Sequence, residues 1–465
     1  MYRKITVKTE GMLTDIVGKD NILDSPEDMD SYARDESRVL YFPPEYVVRP
    51  SNEKQVREII KLANMELFPV VARGGGTGLT GGALASEGGA VVSFELMNNI
   101  TDIDTQNRMA VLQPGVINGV FQSQAEENGL FYPVNPASMD SCTLGGNVSN
   151  STGGANTVRY GTTRNYICGM RAVNGNNEVL CAGGKVVKNS TDHTLIQLMC
   201  GSEGTLGFFT ELTFRLIARP AVTAWIIALF SDIYRISETA GEIYCKGLNP
   251  TMMELMDSAT LGYCRKYLEI EAQYGRYHQL LLRFDSQDKE ELEKAVIKAG
   301  EMCMNSGADE VLVADSKIEQ EKIWKIRSSI HDALINAARP VCEEDIVIPV
   351  SRVNELLKEL YLLSDRYGYE LTVFGHLGDG NMHVSYNARG EAGNIVPENT
   401  VEELRSDVFR KTDILGGKIS GEHGIGLLKR RYWKKYVDPS YISLVSRIKK
   451  EFDSNLIINP GKLSD

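Results

Sequence analysis

The chain has 465 residues, 42% of them hydrophobic and 24% charged, and its 50 basic and 62 acidic side chains leave a formal charge of −12. That length exceeds one ordinary hydrophobic core, so two domains are expected. The acidic balance disfavours a nucleic-acid partner, because phosphate binding needs a basic field, and the sequence lacks the long apolar run of a membrane-spanning helix. Residues 1–17 carry charges every few positions and lack the apolar centre of a signal peptide, which predicts a cytoplasmic protein. Eight scattered cysteines (142, 168, 181, 200, 245, 264, 303 and 342) form no CxxC pair for zinc or an iron–sulfur cluster and read as buried thiols in a reducing compartment.

The first half is rich in glycine and small polar residues. A helix is predicted over residues 52–64, with Val56, Ile59, Ile60 and Ala63 on one face, and strands over residues 68–72, 90–96 and 109–113. Residues 69–83, PVVARGGGTGLTGGA, form the strongest local signal. Glycines at this density let successive backbone N–H groups face one concavity, which suits a phosphate or pyrophosphate. Gly76, Gly78 and Gly81 satisfy GxGxxG, and Glu95 lies at a tempting distance for a ribose contact. Between Gly81 and the strand at Ala90, however, stand only the eight residues 82–89, including Gly82 and the Gly88-Gly89 break. A βαβ crossover needs roughly ten or more residues, mostly helical, so a nicotinamide site does not fit, and a flavin or another nucleotide diphosphate is favoured.

A second cluster, residues 133–161, interleaves Ser138, Thr143, Asn147, Ser149 and Ser151 with Gly145, Gly146, Gly153 and Gly154, a wall able to approach a flat polar ring closely. Residues 201–207, GSEGTLG, add a third piece. The texture changes near Arg219-Pro220. Beyond it, strands are predicted at residues 223–230, 278–284, 311–314 and 346–350, and helices at residues 233–246, 289–304 and 352–367, the last with Val353, Leu356, Leu357 and Leu360 aligned. This is an α+β unit with helices over a sheet.

Three of the six histidines lie between residues 376 and 423. Residues 371–387, LTVFGHLGDGNMHVSYN, read as strand, turn and strand; if the strands pair, His376 and His383 project near one another as ligands for a divalent metal. Residues 419–427, ISGEHGIGL, set Glu422 and His423 between glycines, so the carboxylate can add an oxygen ligand while the imidazole serves another purpose. Residues 429–436, KRRYWKKY, are the strongly basic run. They read either as a solvated helix end or as a docking patch for an electron-accepting protein or an anionic membrane surface.

The succession RGGGTGLTGG, TLGGNVSNSTGG, YGTTRNY, GGKVVKN and GSEGTLGFFTE resembles the FAD domain of the vanillyl-alcohol-oxidase-type flavoproteins, in the branch holding D-lactate dehydrogenases and the FAD subunit of glycolate oxidase. The resemblance runs from about residue 46 to the C-terminus. It implies an FAD-binding domain over residues 1–220, an α+β cap domain with an antiparallel sheet over 221–412, and a C-terminal segment, 413–465, returning to the FAD domain. By the same resemblance Arg73, Gly74, Gly75, Gly76, Thr77, Gly78 and Leu79 bind the pyrophosphate. Pro136, Ser138, Thr143, Gly146, Asn147, Ser149, Ser151, Gly153 and Gly154 line the flavin, and Glu203, Gly204 and Thr205 lie near it. The first loop has no histidine for a covalent bond, so the FAD is expected to be dissociable. Members with HxGDGNxH and GEHG imply that His376, His383 and Glu422 hold a divalent metal (Zn, Fe or Mn) and that His423 is the general base.

Arg327 matches the family's substrate-clamping arginine, although a surface arginine on a helix fits it nearly as well. His331 and Glu343 stand where the diacid-handling members place further polar or basic groups, which leans toward a small monocarboxylate. His193 departs from the family's TGYDL pattern and is given no role. The expected activity is oxidation of D-lactate to pyruvate with hydride transfer to FAD. In the absence of a cluster or a nicotinamide fold, reduced flavin must be reoxidised by a quinone, oxygen or a partner flavoprotein, and the resemblance to lactate dehydrogenases that pair with an electron-transferring flavoprotein implies that partner. The alternatives are a glycolate or other D-2-hydroxy acid dehydrogenase with a quinone acceptor, and a flavin electron-transfer subunit without substrate chemistry.

Overall fold

Three parallel strands near the start of the chain carry the glycine-rich loop. In the computed structural model, which describes residues 2–192, 194–270, 275–338, 340–388 and 397–463, they are Tyr46–Val48, Val70–Arg73 and Ala90–Ser93. His193 lies outside the described residues. The sheet order is Ile22–Leu23, Tyr46–Val48, Ala90–Ser93, Val70–Arg73, with the first strand antiparallel to the second. Residues 74–89 join the parallel neighbours Val70–Arg73 and Ala90–Ser93 without a helix, so the crossover of a nicotinamide-binding βαβ unit is missing here. Glu95 instead accepts hydrogen bonds from Tyr32 and Arg49.

The chain divides into two compact units. The first comprises Met1–Gly153, Thr162–Arg219 and His423–Asp465; the second comprises Gly154–Gly161 and Pro220–Glu422. The C-terminal return thus begins at His423 in this division, whereas the sequence reading set it at residue 413.

In the first unit the helix Glu53–Glu66 is capped by Asn52 and buries Val56, Ile59, Ile60 and Ala63. They pack with Val48, Val70 and Val92 of the parallel sheet, Leu13 and Val17 of a helix Val7–Val17, and Ile457 and Ile458 from the end of the chain. A five-stranded antiparallel sheet follows, ordered Ile100–Asp104, Met109–Leu112, Gly207–Arg215, Ile167–Asn174, Val179–Gly183. This half holds more helix than its composition suggests. The cluster read as a small-residue wall contains the helix Leu144–Asn150, started by Thr143, whose hydroxyl accepts from the Gly146 N–H. Glycine and asparagine are poor helix formers, which conceals it in the sequence.

In the second unit seven antiparallel strands run in the order Glu310–Ala314, Val222–Phe230, His278–Ser286, Met252–Met256, Glu370–His376, Asn381–Asn387, Pro340–Val347. Met252, Met256, Trp225 and Leu281 pack with Leu261 and Cys264 of the helix Ser258–Leu268 and with Ile323 and Ile326 of the helix Lys317–Ser328. Helices Ile233–Cys245, Lys289–Asn305 and Val353–Tyr367 also pack on the sheet. The last strand corrects the prediction at residues 346–350. Its acids Glu343, Glu344 and Asp345 break the apolar pattern, and Pro349, with no N–H to donate, lies beyond its end.

The eight cysteines are all free, but they are not uniformly buried: Cys181 and Cys245 are exposed and Cys168 is half-buried. Cys181 lies on an edge strand and Cys245 closes a helix, positions open to solvent. Among the described residues no helix is long and apolar enough to cross a membrane.

One buried charge pair ties the end of the chain into the first unit. Lys449, fully buried, donates to Asp453 at 2.6 Å and to the carbonyls of Thr205 and Ile458, and Asp453 accepts from the Ile457 and Ile458 N–H groups. Breaking one side of such a pair leaves the other charge uncompensated. Lys449→Met is therefore expected to cost about 3–5 kcal/mol in denaturant unfolding; a loss near zero would contradict this account.

Candidate active site

Cross-strand register decides which side chains of the second unit can meet. His376 pairs with Asn381 and with Glu254, while His383 pairs with Phe374 and with Asp345. Side chains alternate faces along a strand, so residues two apart share a face. Glu254, His376, Asn381, His383 and Asp345 therefore project together from four adjacent strands. The two imidazole rings stand 5.5 Å apart between centroids, nearly perpendicular.

Glu422 closes the group. Its Oε1 lies 3.2 Å from Nε2 of His376 and 3.5 Å from Nε2 of His383, and one ligand atom from each of the three residues falls within 4.8 Å of the others. Ligands bonded at about 2.1 Å in a tetrahedral array stand about 3.4 Å apart, so the donor set fits a divalent ion with positions left for further ligands. The loop bearing Glu422 is held by Asp345, whose Oδ2 accepts from the Ser420 hydroxyl and from the Gly421 and Glu422 N–H groups. A Cβ on Gly421 would sit 2.2 Å from Nδ2 of Asn381, so only glycine lets the loop pass this close. Asn381 in turn donates to Oδ1 of Asp345 at 2.6 Å.

Each histidine has a carboxylate behind it. Nδ1 of His376 lies 2.6 Å from Oε1 of Glu254, and Nδ1 of His383 lies 3.9 Å from Oδ1 of Asp345. Burial disfavours a charged His376, but Glu254 and Glu422 outweigh it and hold its pKa well above the usual value. Burial likewise raises Glu422, and the two histidines overcome this and hold its carboxyl far below the ordinary range. A cation is what this pocket favours, whether a proton or a metal ion.

Arg327, on the helix Lys317–Ser328, is buried, not a surface residue. Its Nε and Nη2 both bind Oε2 of Glu254, at 2.7 and 2.6 Å. This edge of the guanidinium, suited to a bidentate carboxylate, is thus occupied by a protein side chain. The sequence reading missed Glu254, Asp345 and Asn381. A lone acid inside the apolar strand MMELM was the available signal, since an unpaired charge there would be prohibitively costly.

In the first unit the glycine-rich loop leaves the end of Val70–Arg73. The N–H groups of residues 74–80 donate to no described residue, and a Cβ on Gly78 would meet nothing within 4 Å. Such a loop fits a pyrophosphate. The Arg73 side chain is engaged elsewhere: its guanidinium donates to the Ser31 and Arg34 carbonyls. Gly74 and Gly75 press against Thr143 and the Ser141 carbonyl, which joins the first and second clusters. Pro136 and Ser138 accept backbone bonds in the turn before Thr143, Ser149 bonds the Gly145 carbonyl and accepts from the Glu203 N–H, and Ser151 takes a left-handed conformation at the helix end. Asn147 is buried in that helix, Gly153 ends the first-unit segment, and Gly154 opens the stretch that clusters with the second unit.

Glu203 has a task of its own. Its two oxygens accept from the Ile425 and Gly426 N–H groups, both at 2.7 Å, and the Thr80 hydroxyl donates to the His423 carbonyl. His423 is thereby fastened within the first unit. Burial raises the Glu203 pKa, and these N–H groups offset the effect only in part. Gly204 follows in a left-handed turn, and the Thr205 hydroxyl bonds the Ser202 carbonyl. In the basic run Tyr432, Trp433 and Lys429 are buried and Tyr436 is half-buried, while Arg431, Lys434 and Lys435 remain exposed.

Comparison with known proteins agrees with this architecture. Residues 44–183 match the family described as FAD binding domain, and residues 219–463 match FAD linked oxidases, C-terminal domain. The chain belongs to the FAD-linked oxidases. It is 32% identical to the glycolate oxidase subunit GlcD of Bacillus subtilis (strain 168), over 99% of this chain and 97% of the relative. It is also 32% identical to a D-lactate dehydrogenase of Anaerostipes hadrus, over 99% and 98% of the two chains, and to a D-2-hydroxyglutarate dehydrogenase of Stutzerimonas stutzeri (strain A1501), over 97% of each. Among solved structures, p-cresol methylhydroxylase superposes with a TM-score of 0.78 over 100% of this chain and 98% of its own, at 17% identity. The fold is that of the vanillyl-alcohol-oxidase type, with an FAD-binding domain and a mixed C-terminal domain built on an antiparallel sheet.

The two bonds from Glu203 give a test of the His423 anchor. In Glu203→Gln one oxygen becomes an amide that cannot accept, and losing a buried bond costs about 1–3 kcal/mol. Hydrogen exchange at the amides of Ile425 and Gly426 should then quicken roughly tenfold or more; unchanged protection would remove the anchoring role.

Proposed function

We propose that this FAD-linked oxidoreductase oxidises a small 2-hydroxy acid, foremost D-lactate to pyruvate. The observation that carries the reading is the meeting of His376, His383 and Glu422 through two Nε2 atoms and one carboxylate oxygen. Two imidazoles and one carboxylate would hold a divalent ion (Zn, Fe or Mn) while leaving positions for substrate oxygens. Once bound, the ion would supply Lewis acidity at the substrate hydroxyl, and non-covalent FAD would supply the hydride acceptor at N5. The N–H groups of residues 74–80 would hold the FAD pyrophosphate.

His423 would take the hydroxyl proton as general base, from a loop steadied by Glu203 and Thr80. Arg327 would meet the substrate carboxylate through the edge formed by Nη1 and the second Nη2–H, since its Nε–H and the other Nη2–H are committed to Glu254. The relatives named for D-lactate, glycolate and D-2-hydroxyglutarate set the range of acids to be compared.

We propose that the reduced flavin passes its electrons to an electron-transferring flavoprotein in the cytoplasm. Lactate turnover that requires that partner supports this; full turnover with a quinone alone would refute it.

The activity is tested by anaerobic mixing of FAD- and metal-loaded protein with D-lactate, L-lactate, glycolate and D-2-hydroxyglutarate. D-lactate should bleach the flavin band fastest, and His423→Asn should slow bleaching about a hundredfold. Bleaching by none of the acids removes the enzyme reading, and bleaching by L-lactate alone reverses the stereochemistry.

A further inference from the structure

Glu254 is fully buried at the middle of the strand Met252–Met256, in the centre of the seven-stranded sheet, between Met253 and Leu255. A charged residue there needs a reason other than stability. Replacing a buried ion pair by apolar residues of similar size is often neutral or stabilising, because desolvation offsets the attraction. Its carboxylate is instead held between two basic partners, Arg327 on one oxygen and His376 on the other.

Both of its oxygens are directed at the site. Oε1 lies 2.6 Å from Nδ1 of His376, and Oε2 accepts from Nε and Nη2 of Arg327. A carboxylate paired with a guanidinium serves as an acceptor, so the contact favours a proton on Nδ1 and leaves Nε2 as the atom that faces Glu422, at 3.2 Å. The companion contact is looser: Asp345 stands 3.9 Å from His383, and its Oδ2 is committed to the loop of Glu422.

We propose that Glu254 is a positioning residue which, with one carboxylate, fixes His376 with Nε2 as its metal-facing atom and fixes Arg327 so that the opposite edge of its guanidinium, Nη1 with the second Nη2–H, is left for an anionic ligand. Metal binding and recognition of the substrate carboxylate are thereby tied to one buried side chain. The inference rests on the metal reading given above.

The test is zinc affinity, measured by competition with a chromophoric chelator on the FAD-loaded protein, for the wild type, Glu254→Gln and the double variant Arg327→Met/Glu254→Gln. Loss of a carboxylate behind a ligating histidine typically weakens metal binding 10- to 100-fold, so Glu254→Gln is expected to weaken zinc by about that factor. The double variant, which leaves no unpaired buried charge, should bind as weakly. Thermal melting followed by the flavin band serves as the folding control. If Glu254→Gln does not fold, the double variant carries the test.

Wild-type affinity in Glu254→Gln overturns the inference, whatever its melting temperature. Restoration of wild-type affinity in the double variant also overturns it, since the stranded Arg327 charge would then be the cause. A wild-type protein that binds no zinc overturns the metal reading itself, and the inference with it.

Discussion

The antiparallel register between Glu370–His376 and Asn381–Asn387 is the constraint on which the proposed metal site depends. Pairing His376 with Asn381 and Phe374 with His383 puts both imidazoles on one face of the sheet. A slip of one residue would turn one of them to the opposite face. The neighbouring strands extend the same rows, so Glu254 stands beside His376 and Asp345 beside His383. Charges this deep are tolerable only when paired and hydrogen-bonded, and here each acid meets a base or several donors. The polar cluster and the sheet register thus support each other: a displaced strand would leave buried charges without partners.

The adjacent residues Glu422 and His423 serve different parts of the molecule. Glu422 ends the segment grouped with the antiparallel sheet, where Asp345 holds its backbone. His423 begins the segment grouped with the glycine-rich loops, where Thr80 and Glu203 hold its backbone and that of the residues after it. One peptide bond therefore links a proposed metal ligand to the proposed proton acceptor. The pyrophosphate role proposed for the glycine-rich loop needs no lysine. It offers backbone donors to an anion in a chain whose net charge is −12, with the nearby arginine, Arg73, committed to bracing the loop before it.

Much of this is legible in the sequence because its signals are local. The helix beginning after Asn52, the strand–turn–strand around GDGN and the helix ending at Tyr367 announce themselves by periodicity, capping and turn chemistry. The helix Leu144–Asn150 is hidden by its glycines and asparagines, and the strand Pro340–Val347 by its three acids, which look like solvent-facing charge until their partners are known. Glu254 and Asp345 acquire meaning only through strands far off in sequence. The same is true of Arg327, whose helical context says nothing about the carboxylate waiting for it. The buried Tyr432 and Trp433 teach the converse, that a basic–aromatic run, read either as a solvated helix end or as a docking patch, can turn two of its rings inward.

The central claim is that His376, His383 and Glu422 form one metal site. X-ray absorption at the zinc edge of the loaded protein tests it most directly. The account predicts a first shell of nitrogen and oxygen at about 2.0–2.2 Å with the outer-shell scattering of two imidazoles, reduced to one in His383→Ala. A spectrum without imidazole scattering, or one unchanged by that substitution, would contradict it.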